Sequence, residues 1–436
     1  MAFSSRRRNY LLTGHKRDPF IEWMKEMLSH SFVLDCVEDT IEGTMEHFES
    51  LFFEHYTNPT TSKFSQLVPT AKPFFTPLPM LEAWQMYDAK YKVSKRKFVH
   101  CSFNEIRHIL NLAQVLGQRE KLKFMSFDGD CTLYQDGEYF DNPKIAYAIR
   151  KLLENGVIVA LITAAGYGYD SEKYEQRLSG LLEYFRKCQL PEEVMSRFYV
   201  VGGECNFLLQ CGSEAKLQPI QAEVWKPDVL TFSEEDIQAL LDTAEGTIRE
   251  AIEDLQLQVR VIRKARAVGI IPGGSNSKRE QPNGHGANKV NREHLDEVVL
   301  RVQHALRQSG NQLPFCAFNG GNDAFVDIGD KSIGVQGLQR YLGLSPDVCM
   351  HVGDQFLSTG NDIAARSVCP TIWISNPRET KCILKTILKI HGLITTMDDE
   401  ELHSPTRKIS STSEANVDYP ITDELSLSNV EVENQL

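Results

Sequence analysis

In KLKFMSFDGDCTLY (121–134) a short apolar run ends in two aspartates, and this pattern indicates the class of fold. The next segment is DNPKIAYAIRKLLENG (141–156), where Asn142 can cap a helix and Pro143 suits its first position. VIVALIT (157–163) follows and has the composition of a second buried strand. Strand, helix and strand in about 40 residues form a βαβ unit. The sequence therefore predicts a parallel sheet with helices on its faces.

The same alternation of elements returns near the C-terminus. VCMHVGD (348–354) and TIWIS (371–375) are apolar strand candidates on either side of the helix candidate NDIAARSV (361–368). Before the first strand, FIEWMKEMLSHSFVLDCVEDTIEGTMEHFESLFFEHY (20–56) carries apolar residues at three- and four-residue intervals, which is typical of amphipathic helices. We therefore expect an α/β protein with a helical N-terminal region.

The bulk composition excludes several classes of protein. With 42% hydrophobic and 24% charged residues the chain resembles an ordinary soluble protein, and no apolar run approaches the roughly 20 residues of a membrane helix. The apolar stretch after the N-terminal arginines is too short for a signal peptide, so we expect a cytoplasmic protein without membrane contact. The net charge of −12 argues against nucleic-acid binding. Ten scattered cysteines without a C-x-x-C give no support for zinc ribbons or thioredoxin-like chemistry.

Two carboxylates at the end of the first strand carry the central chemical signal. Asp128 and Asp130 are two residues apart, so in an extended chain their side chains point the same way. Such carboxylates repel each other unless a cation lies between them or one takes a proton. A hard cation such as Mg²⁺ prefers oxygen ligands and leaves room for a phosphate oxygen. One carboxylate can then attack phosphorus, while the other protonates the leaving oxygen and later activates water.

Three further strand ends or helix starts offer groups that phosphoryl transfer requires. Thr163 ends the second strand with a hydroxyl donor, Lys331 stands just ahead of a helix, and Asp354 follows a glycine after a later strand. Each is weak alone, since a D-x-D, a lone lysine or an aspartate after glycine is usually a turn or surface residue. Their joint occurrence in this order at strand ends predicts a phosphoryl-transfer site.

The order of these motifs resembles the haloacid dehalogenase superfamily. Its four motifs are matched in order by Asp128 to Thr132 (D-x-D-x-T), Thr163, Lys331 and Gly353–Asp354. The resemblance implies that Asp128 is the nucleophile and Asp130 the general acid and base. It also implies that magnesium is held by Asp128, by the backbone carbonyl of Asp130 and by Asp354.

The fourth motif departs from the family pattern. Its second acid commonly follows four or five residues after the first, but position 358 is serine and the next acid is Asp362. Asn361 and Asp362 therefore stay outside the predicted ligand set, and we expect an insertion to reshape this loop. His351, inside the preceding strand, is interpreted as a packed residue rather than as a base.

The spacing of the motifs locates a cap domain. Too few residues separate Asp128 from Thr163 to hold a cap as well as a helix, whereas the segment from Thr163 to Lys331 is long enough. We therefore expect a Rossmann-like haloacid dehalogenase core with a parallel sheet, an α/β cap inserted between the second and third motifs, and a helical N-terminal region. The predicted units are a helical regulatory or oligomerisation region (1–120), a core (121–175 and 311–395), a cap (176–310) and a disordered acidic tail (396–436).

At a narrower level, long blocks of the chain look like the IMP-specific 5′-nucleotidases of fungi and some protozoa. The blocks include FDGDCTLYQDG (127–137), RKARAVGIIPG (263–273) and NGGNDAFVDIGDKSIGVQGLQ (319–339). The resemblance implies Mg²⁺-dependent hydrolysis of inosine 5′-monophosphate (IMP) to inosine and phosphate, in a homotetramer that ATP activates through the N-terminal region. The substrate-binding residues that it implies are Asp130, Asp136, Thr163, Asp323 and Lys331.

The residues that contact the effector cannot be matched in the same way. Lys90, in the basic run AKYKVSKRKF (89–98), is the candidate for ATP, although such a run is usually only a solvated face. Two alternative functions stay open at this point. One is a sugar-phosphate phosphatase or phosphomutase of the same superfamily. The other is a metabolite sensor without activity, which would normally have lost the nucleophile.

Overall fold

The computed structural model describes residues 18–33, 41–119, 121–225, 232–273 and 290–393. The predicted acidic tail and most of the polar segment 272–289 lie outside the described residues. The helices are α1 (Pro19–Val33), α2 (Ile41–Thr57), α3 (Lys63–Leu67), α4 (Met80–Tyr91), α5 (Phe103–Gly117), α6 (Pro143–Glu154), α7 (Ser171–Arg177), α8 (Ser179–Lys187), α9 (Glu192–Met195), α10 (Ala222–Trp225), α11 (Glu234–Leu255), α12 (Arg292–Gln308), α13 (Lys331–Leu342) and α14 (Pro377–Ile390). The strands are β1 (Phe124–Phe127), β2 (Ile158–Thr163), β3 (Phe198–Gly202), β4 (Phe207–Cys211), β5 (Leu217–Ile220), β6 (Val259–Arg263), β7 (Ala267–Pro272), β8 (Phe315–Asn319), β9 (Ala324–Ile328), β10 (Cys349–Gly353) and β11 (Thr371–Trp373).

A seven-stranded sheet forms the centre of the molecule, with the strand order β11-β10-β1-β2-β3-β4-β5. The five strands from β11 to β3 are parallel, and β4 and β5 extend the sheet in antiparallel pairing. Helices α6, α8 and α14 cover one face, while α10 and α13 cover the other. Because β1 lies between β10 and β2, the residues that follow these three strands meet at one edge of the sheet.

Helix α6 begins where its sequence signals predict. The side chain of Asn142 accepts hydrogen bonds from the backbone N–H groups of Lys144 and Ile145, and Pro143 occupies the first turn. These contacts satisfy N–H groups that a helix start otherwise leaves without partners. The helix buries Ile149 and Leu152 against the sheet, which fixes the crossover between β1 and β2.

A second, four-stranded antiparallel sheet of order β6-β7-β9-β8 forms the cap, and α11 and α12 pack on it. The chain returns to the core at Gly329, whose φ is 81°. A Cβ atom at this position would collide with the Sγ atom of Cys205, so only glycine fits this crossing point.

The boundaries of the cap differ from the predicted range of 176–310. Strand β3 pairs in parallel with β2, with Thr163 opposite Gly202, so β3 to β5 belong to the core. Strands β8 and β9, which lie in the predicted core range 311–395, pair with each other, and β9 also pairs with β7, so both belong to the cap sheet. Strands β6 and β7 form an antiparallel hairpin at the other edge of the cap sheet. Hydrophobic periodicity identifies a strand but does not indicate which sheet it joins.

Helices α1 to α5 pack around a cluster of aromatic side chains next to the core sheet. Phe52 and Phe64, for example, meet edge to face with ring centroids 5.0 Å apart. Asn111 of α5 accepts a hydrogen bond from the backbone N–H of Trp373 (3.0 Å) and donates one to its carbonyl (2.7 Å). These bonds cover the edge strand β11. None of the helices in the described part is both long and apolar enough to cross a membrane.

Candidate active site

Three carboxylates meet at the carboxyl edge of the core sheet. Asp128 directly follows β1 and its backbone N–H donates to the carbonyl of Val352 in β10 (2.9 Å). Asp354 directly follows β10, and Asp362 begins a short 3₁₀ helix at 362–367. Their nearest carboxylate oxygens all lie within 4.8 Å of one another. This spacing allows the three side chains to hold one cation.

Lys331, the first residue of α13, reaches into this cluster. Its Nζ atom lies 2.5 Å from Oδ1 of Asp128 and 2.5 Å from Oδ1 of Asp362, and its side chain is fully buried. Burial alone would lower the pKa of Lys331, but the carboxylates of Asp128 and Asp362 outweigh it and hold the pKa well above 10.5. Lys331 is therefore an ammonium that donates to both acids.

The carboxylates of the cluster are largely buried, so their negative charges are poorly solvated. Burial raises the pKa of Asp354 well above its usual 3.8, and Asp128 and Asp362 add to the effect. Burial also raises the pKa of Asp128 to about 7, although Lys331 opposes the shift. Oδ1 of Asp354 is buried and has no hydrogen-bond partner among the described residues. An oxygen without a partner among crowded carboxylates fits a hard divalent cation.

Asp362, which the sequence leaves outside the predicted ligand set, belongs to this carboxylate cluster. Its carboxylate accepts hydrogen bonds from the backbone N–H of Gln355 (2.8 Å) and from Nε2 of His351 (3.1 Å). A Cβ atom at Gly353 would collide with this carboxylate, so the glycine makes room for it. The loop after Asp354 therefore brings Asp362 back to the carboxylate cluster. Asn361 has a different partner, because its amide donates to Oε1 of Glu204 (2.8 Å).

Asp130 and Thr163 lie beside the cluster. Oδ1 of Asp130 accepts hydrogen bonds from the backbone N–H of Gly137 (2.9 Å) and from Arg177 (3.0 Å), and its side chain is about one-third exposed. The hydroxyl of Thr163, at the end of β2, accepts from the backbone N–H of Ala165 (3.1 Å). The Thr163 hydroxyl can still donate its own proton to a ligand.

The cap meets the core above these groups. Asn322, in the turn between β8 and β9, donates to the carboxylate of Asp136 in the loop after β1 (2.7 Å). Asp323 follows in the same turn. Burial raises its pKa to about 6, and the negative charges of Asp136 and Asp130 add to the effect. The structure thus brings Asp130, Asp136 and Asp323 into one acidic region. Lys90 lies instead on α4, with its Nζ atom 5.2 Å from the centre of the Tyr91 ring.

A comparison with known families decides which family the chain represents. The family described as IMP-specific 5′-nucleotidase matches residues 36–384. The chain belongs to this family. The IMP-specific 5′-nucleotidase 1 of Aspergillus fumigatus is 44% identical over 349 residues, which cover 77% of this chain and 74% of the relative. The family recognition made from the sequence is therefore confirmed.

Two solved structures of the Plasmodium falciparum IMP-nucleotidase have the same architecture. A mutant with IMP bound is 35% identical with a TM-score of 0.80, covering 88% of this chain and 98% of that chain. The ATP-bound form is 36% identical with a TM-score of 0.77, covering 86% and 85%. The predicted fold class, a Rossmann-like haloacid dehalogenase core with an inserted α/β cap and a helical N-terminal region, is confirmed.

In this member of the 5′-nucleotidase family, sequence reasoning missed Arg177 and Glu204. Arg177 stands in α7 without any motif that would indicate its contact with Asp130. Glu204 is fully buried beside the site with a φ of 63°, and its Oε2 has no hydrogen-bond partner among the described residues. The sequence does carry a signal for Glu204, because this acid lies in GGEC (202–205) directly after an apolar strand.

Proposed function

We propose that this chain is a Mg²⁺-dependent phosphatase that hydrolyses IMP to inosine and phosphate through an aspartyl phosphate on Asp128. The observation that carries the proposal is the buried contact of Lys331 with both Asp128 and Asp362 inside the carboxylate cluster. A buried cation next to a buried nucleophile provides fixed positive charge where the transferring phosphoryl group gains negative charge. Membership of the IMP-specific 5′-nucleotidase family supports the choice of substrate.

The reaction takes place in two steps that share one pair of acids. In the first, a carboxylate oxygen of Asp128 bonds to phosphorus, the bond from phosphorus to O5′ breaks, and Asp130 gives its proton to O5′. In the second, Asp130 takes a proton from water. The water oxygen bonds to phosphorus, the bond to Asp128 breaks and phosphate leaves. Thr163 donates a hydrogen bond to a phosphoryl oxygen during both steps. The Lys331 ammonium offsets the negative charge of the phosphoryl group.

The cation is held by Asp128, by the backbone carbonyl of Asp130 and by Asp354, with Asp362 as an additional acid of the site. The unpartnered oxygen of Asp354 supports this assignment, because burial without a partner is unfavourable for a carboxylate. When bound, Mg²⁺ neutralises the crowded acids and draws electron density from the phosphoryl group. Hard oxygen donors and the absence of thiolates from the cluster favour magnesium over softer metals.

The nucleoside binds between the cap and the core in this proposal. Asp136 and Asp323 accept hydrogen bonds from ribose hydroxyls or base N–H groups, next to Asp130, Thr163 and Lys331 at the phosphate. The contact between Asn322 and Asp136 supports this placement, since it joins the cap turn to the core loop that follows β1. A cap that closes over the nucleotide also excludes bulk water from the phosphoryl group.

Regulation and assembly form a separate part of the proposal. We infer that ATP activates the enzyme through the helical N-terminal region, with Lys90 as a candidate contact, and that the enzyme is a cytoplasmic homotetramer. The Plasmodium falciparum relative with ATP bound supports the binding of this nucleotide. Lys90 lies beside Tyr91, and its ammonium can pair with a phosphate group of the nucleotide.

A phosphate-release screen tests the proposed function. The purified full chain is incubated with IMP, AMP, GMP and hexose phosphates, with and without Mg²⁺ and with and without ATP. We expect magnesium-dependent release from IMP at a kcat/KM that exceeds the value for AMP and for hexose phosphates, and a further increase with ATP. Equal release from hexose phosphates would instead support a sugar-phosphate phosphatase. No release from any ester would support a metabolite sensor.

A further inference from the structure

Behind the carboxylate cluster lies a buried chain of polar side chains that the proposed reaction does not use. Ser126 in β1 stands opposite His351 in the parallel strand β10. Its Oγ atom lies 2.9 Å from Nδ1 of His351, and Nε2 of the same ring lies 3.1 Å from Oδ1 of Asp362. The side chains of Ser126, His351 and Asp362 are all fully buried.

The hydrogen-bond partners assign a direction to this chain. Asp362 accepts from the Lys331 ammonium and from the backbone N–H of Gln355, so its carboxylate is an acceptor. Nε2 of His351 therefore carries the proton that points at Asp362. In the neutral ring Nδ1 is then an acceptor, and it receives the hydroxyl proton of Ser126. The chain runs from Ser126 through His351 to Asp362.

Asp362 links the buried Ser126–His351 pair to the groups that act on phosphorus. Its Oδ1 atom accepts from His351 and from Lys331, and the same ammonium donates to Asp128. Rotation of the Asp362 carboxylate would break its bonds to both His351 and Lys331. Outer partners that fix the orientation of a ligand commonly change metal affinity and activity although they touch neither metal nor substrate.

Packing alone does not account for a serine and a histidine at these positions. The other side chains of β1 are Phe124, Met125 and Phe127, which are all buried. A buried hydroxyl and imidazole each lose their contacts with water, and an apolar pair of the same volume would avoid this loss. The two side chains recover it only through each other and through Asp362.

We propose that Ser126 and His351 are positioning residues that hold Asp362, so that Lys331 and the magnesium ion take the arrangement needed for phosphoryl transfer. This inference rests on the proposed function. His351 is therefore more than the packed residue that the sequence suggests. It acts through Asp362 and does not itself exchange a proton with the substrate.

Graded substitutions along the chain test this role. His351→Leu removes both hydrogen bonds, Ser126→Ala removes only the far one, and His351→Gln keeps an amide donor directed at Asp362. We expect His351→Leu to weaken Mg²⁺ binding and to lower kcat, each by about tenfold to 100-fold. Ser126→Ala and His351→Gln should lower Mg²⁺ affinity and kcat by less than about tenfold, below the range typical of a lost outer partner, because each keeps a hydrogen-bond donor directed at Asp362. KM for IMP should change by less than about twofold in every variant, because such substitutions leave uniform binding intact.

Magnesium affinity is measured by calorimetry on the full chain, independently of turnover. Met350→Ala is the matched control for loss of packing, because Met350 precedes His351 in β10 and lies in the apolar core. It should lower the melting temperature while leaving Mg²⁺ affinity and kcat unchanged. The proposal is overturned if folded His351→Leu binds Mg²⁺ and turns over like wild type, or if Met350→Ala loses as much of both. If the wild type does not hydrolyse IMP but the graded loss of Mg²⁺ affinity remains, the substrate assignment fails and the positioning role stands.

Discussion

The indole Nε1 of Trp373 donates a hydrogen bond of 2.9 Å to the backbone carbonyl oxygen of Asp354. Asn111 of α5 in turn holds both backbone polar groups of Trp373. Two residues thus connect the helical N-terminal region to the loop that carries a proposed magnesium ligand. A change in the position of α5 would move Asp354 through these bonds. An effector bound at the N-terminal helices could act on the site by this route.

Trp373→Phe removes the bond to Asp354 and keeps an aromatic ring against Phe103 and Phe356. We expect a loss of about 1 kcal/mol in the free energy of unfolding, as for one hydrogen bond. The Mg²⁺ concentration for half-maximal activity should rise about threefold to tenfold. Urea denaturation and a magnesium titration of activity measure the two effects. Phe103→Leu is the control, since it alters the packing and leaves the indole bond. An equal magnesium shift in this control would contradict the role of the bond.

Lys331→Met should destabilise the protein as well as inactivate it. The substitution leaves two buried carboxylates, Asp128 and Asp362, without their ammonium partner, which typically costs about 3–5 kcal/mol in the free energy of unfolding. Added Mg²⁺ should recover part of this loss, because it neutralises the same acids. Urea denaturation with EDTA and with Mg²⁺ checks both statements. Lys187→Met, at an ion pair on the surface, is the control and should leave stability unchanged. Full stability of Lys331→Met would argue against the buried charge network.

Asp327 in the cap should make stability depend on pH. Burial raises its pKa to about 7, with Asp323 adding to the shift and Lys264 opposing it. Because the folded state binds this proton more tightly than the unfolded state, stability should fall as pH rises from about 4 to about 7 and then level off. Above about pH 7, Asp327→Asn should be more stable than wild type by a few kcal/mol at most. This limit follows because each unit of pKa shift corresponds to about 1.4 kcal/mol.

The free energy of unfolding, measured in urea at several pH values without metal, tests the prediction for Asp327. Asp141→Asn, at an exposed position, is the control and should keep the slope of the wild type. If Asp327→Asn and wild type show the same dependence on pH, the carboxyl of Asp327 does not retain its proton in the folded protein.

Asp136 and Asp323 should affect nucleoside binding more than chemistry. We expect alanine at either position to raise KM for IMP by about tenfold to 100-fold, the effect of a lost hydrogen bond to a charged group. Turnover of a small aryl phosphate, which has no nucleoside to bind, should change little. Glu138→Ala, an exposed acid in the same loop as Asp136, is the control. A fall in kcat on both substrates with an unchanged KM would show that these acids act at the phosphate instead.

The residues that meet in the candidate site could be predicted where local sequence carries the signal. Asp128, Thr163 and Asp354 each follow a short apolar run, and Lys331 follows the helix cap Asp330. Parallel strands place their carboxyl ends at one edge, so four local patterns are enough to predict one site. The folded arrangement of Asp128, Lys331 and Asp354 agrees with that expectation.

The rest depends on contacts between distant parts of the chain. The pairing of β3 with β2, the position of Asp362 at the carboxylate cluster and the contact of Asn322 with Asp136 have no local signature. Asp362 follows a polar loop and Asn322 stands in a glycine-rich turn, where such residues usually bond only to nearby backbone. Their partners are fixed by which sheet each neighbouring strand joins. Periodicity does not encode that choice.

Trapping of the phosphorylated enzyme shows whether Asp128 is the nucleophile. The magnesium-loaded protein is mixed with IMP that carries radioactive phosphorus, quenched in acid within one turnover, and digested. We expect label on the peptide that contains Asp128. A folded Asp128→Asn variant should carry no label, and its turnover should be reduced by about 10³-fold or more. Label on another residue, or turnover by Asp128→Asn close to that of wild type, would contradict nucleophilic catalysis by Asp128.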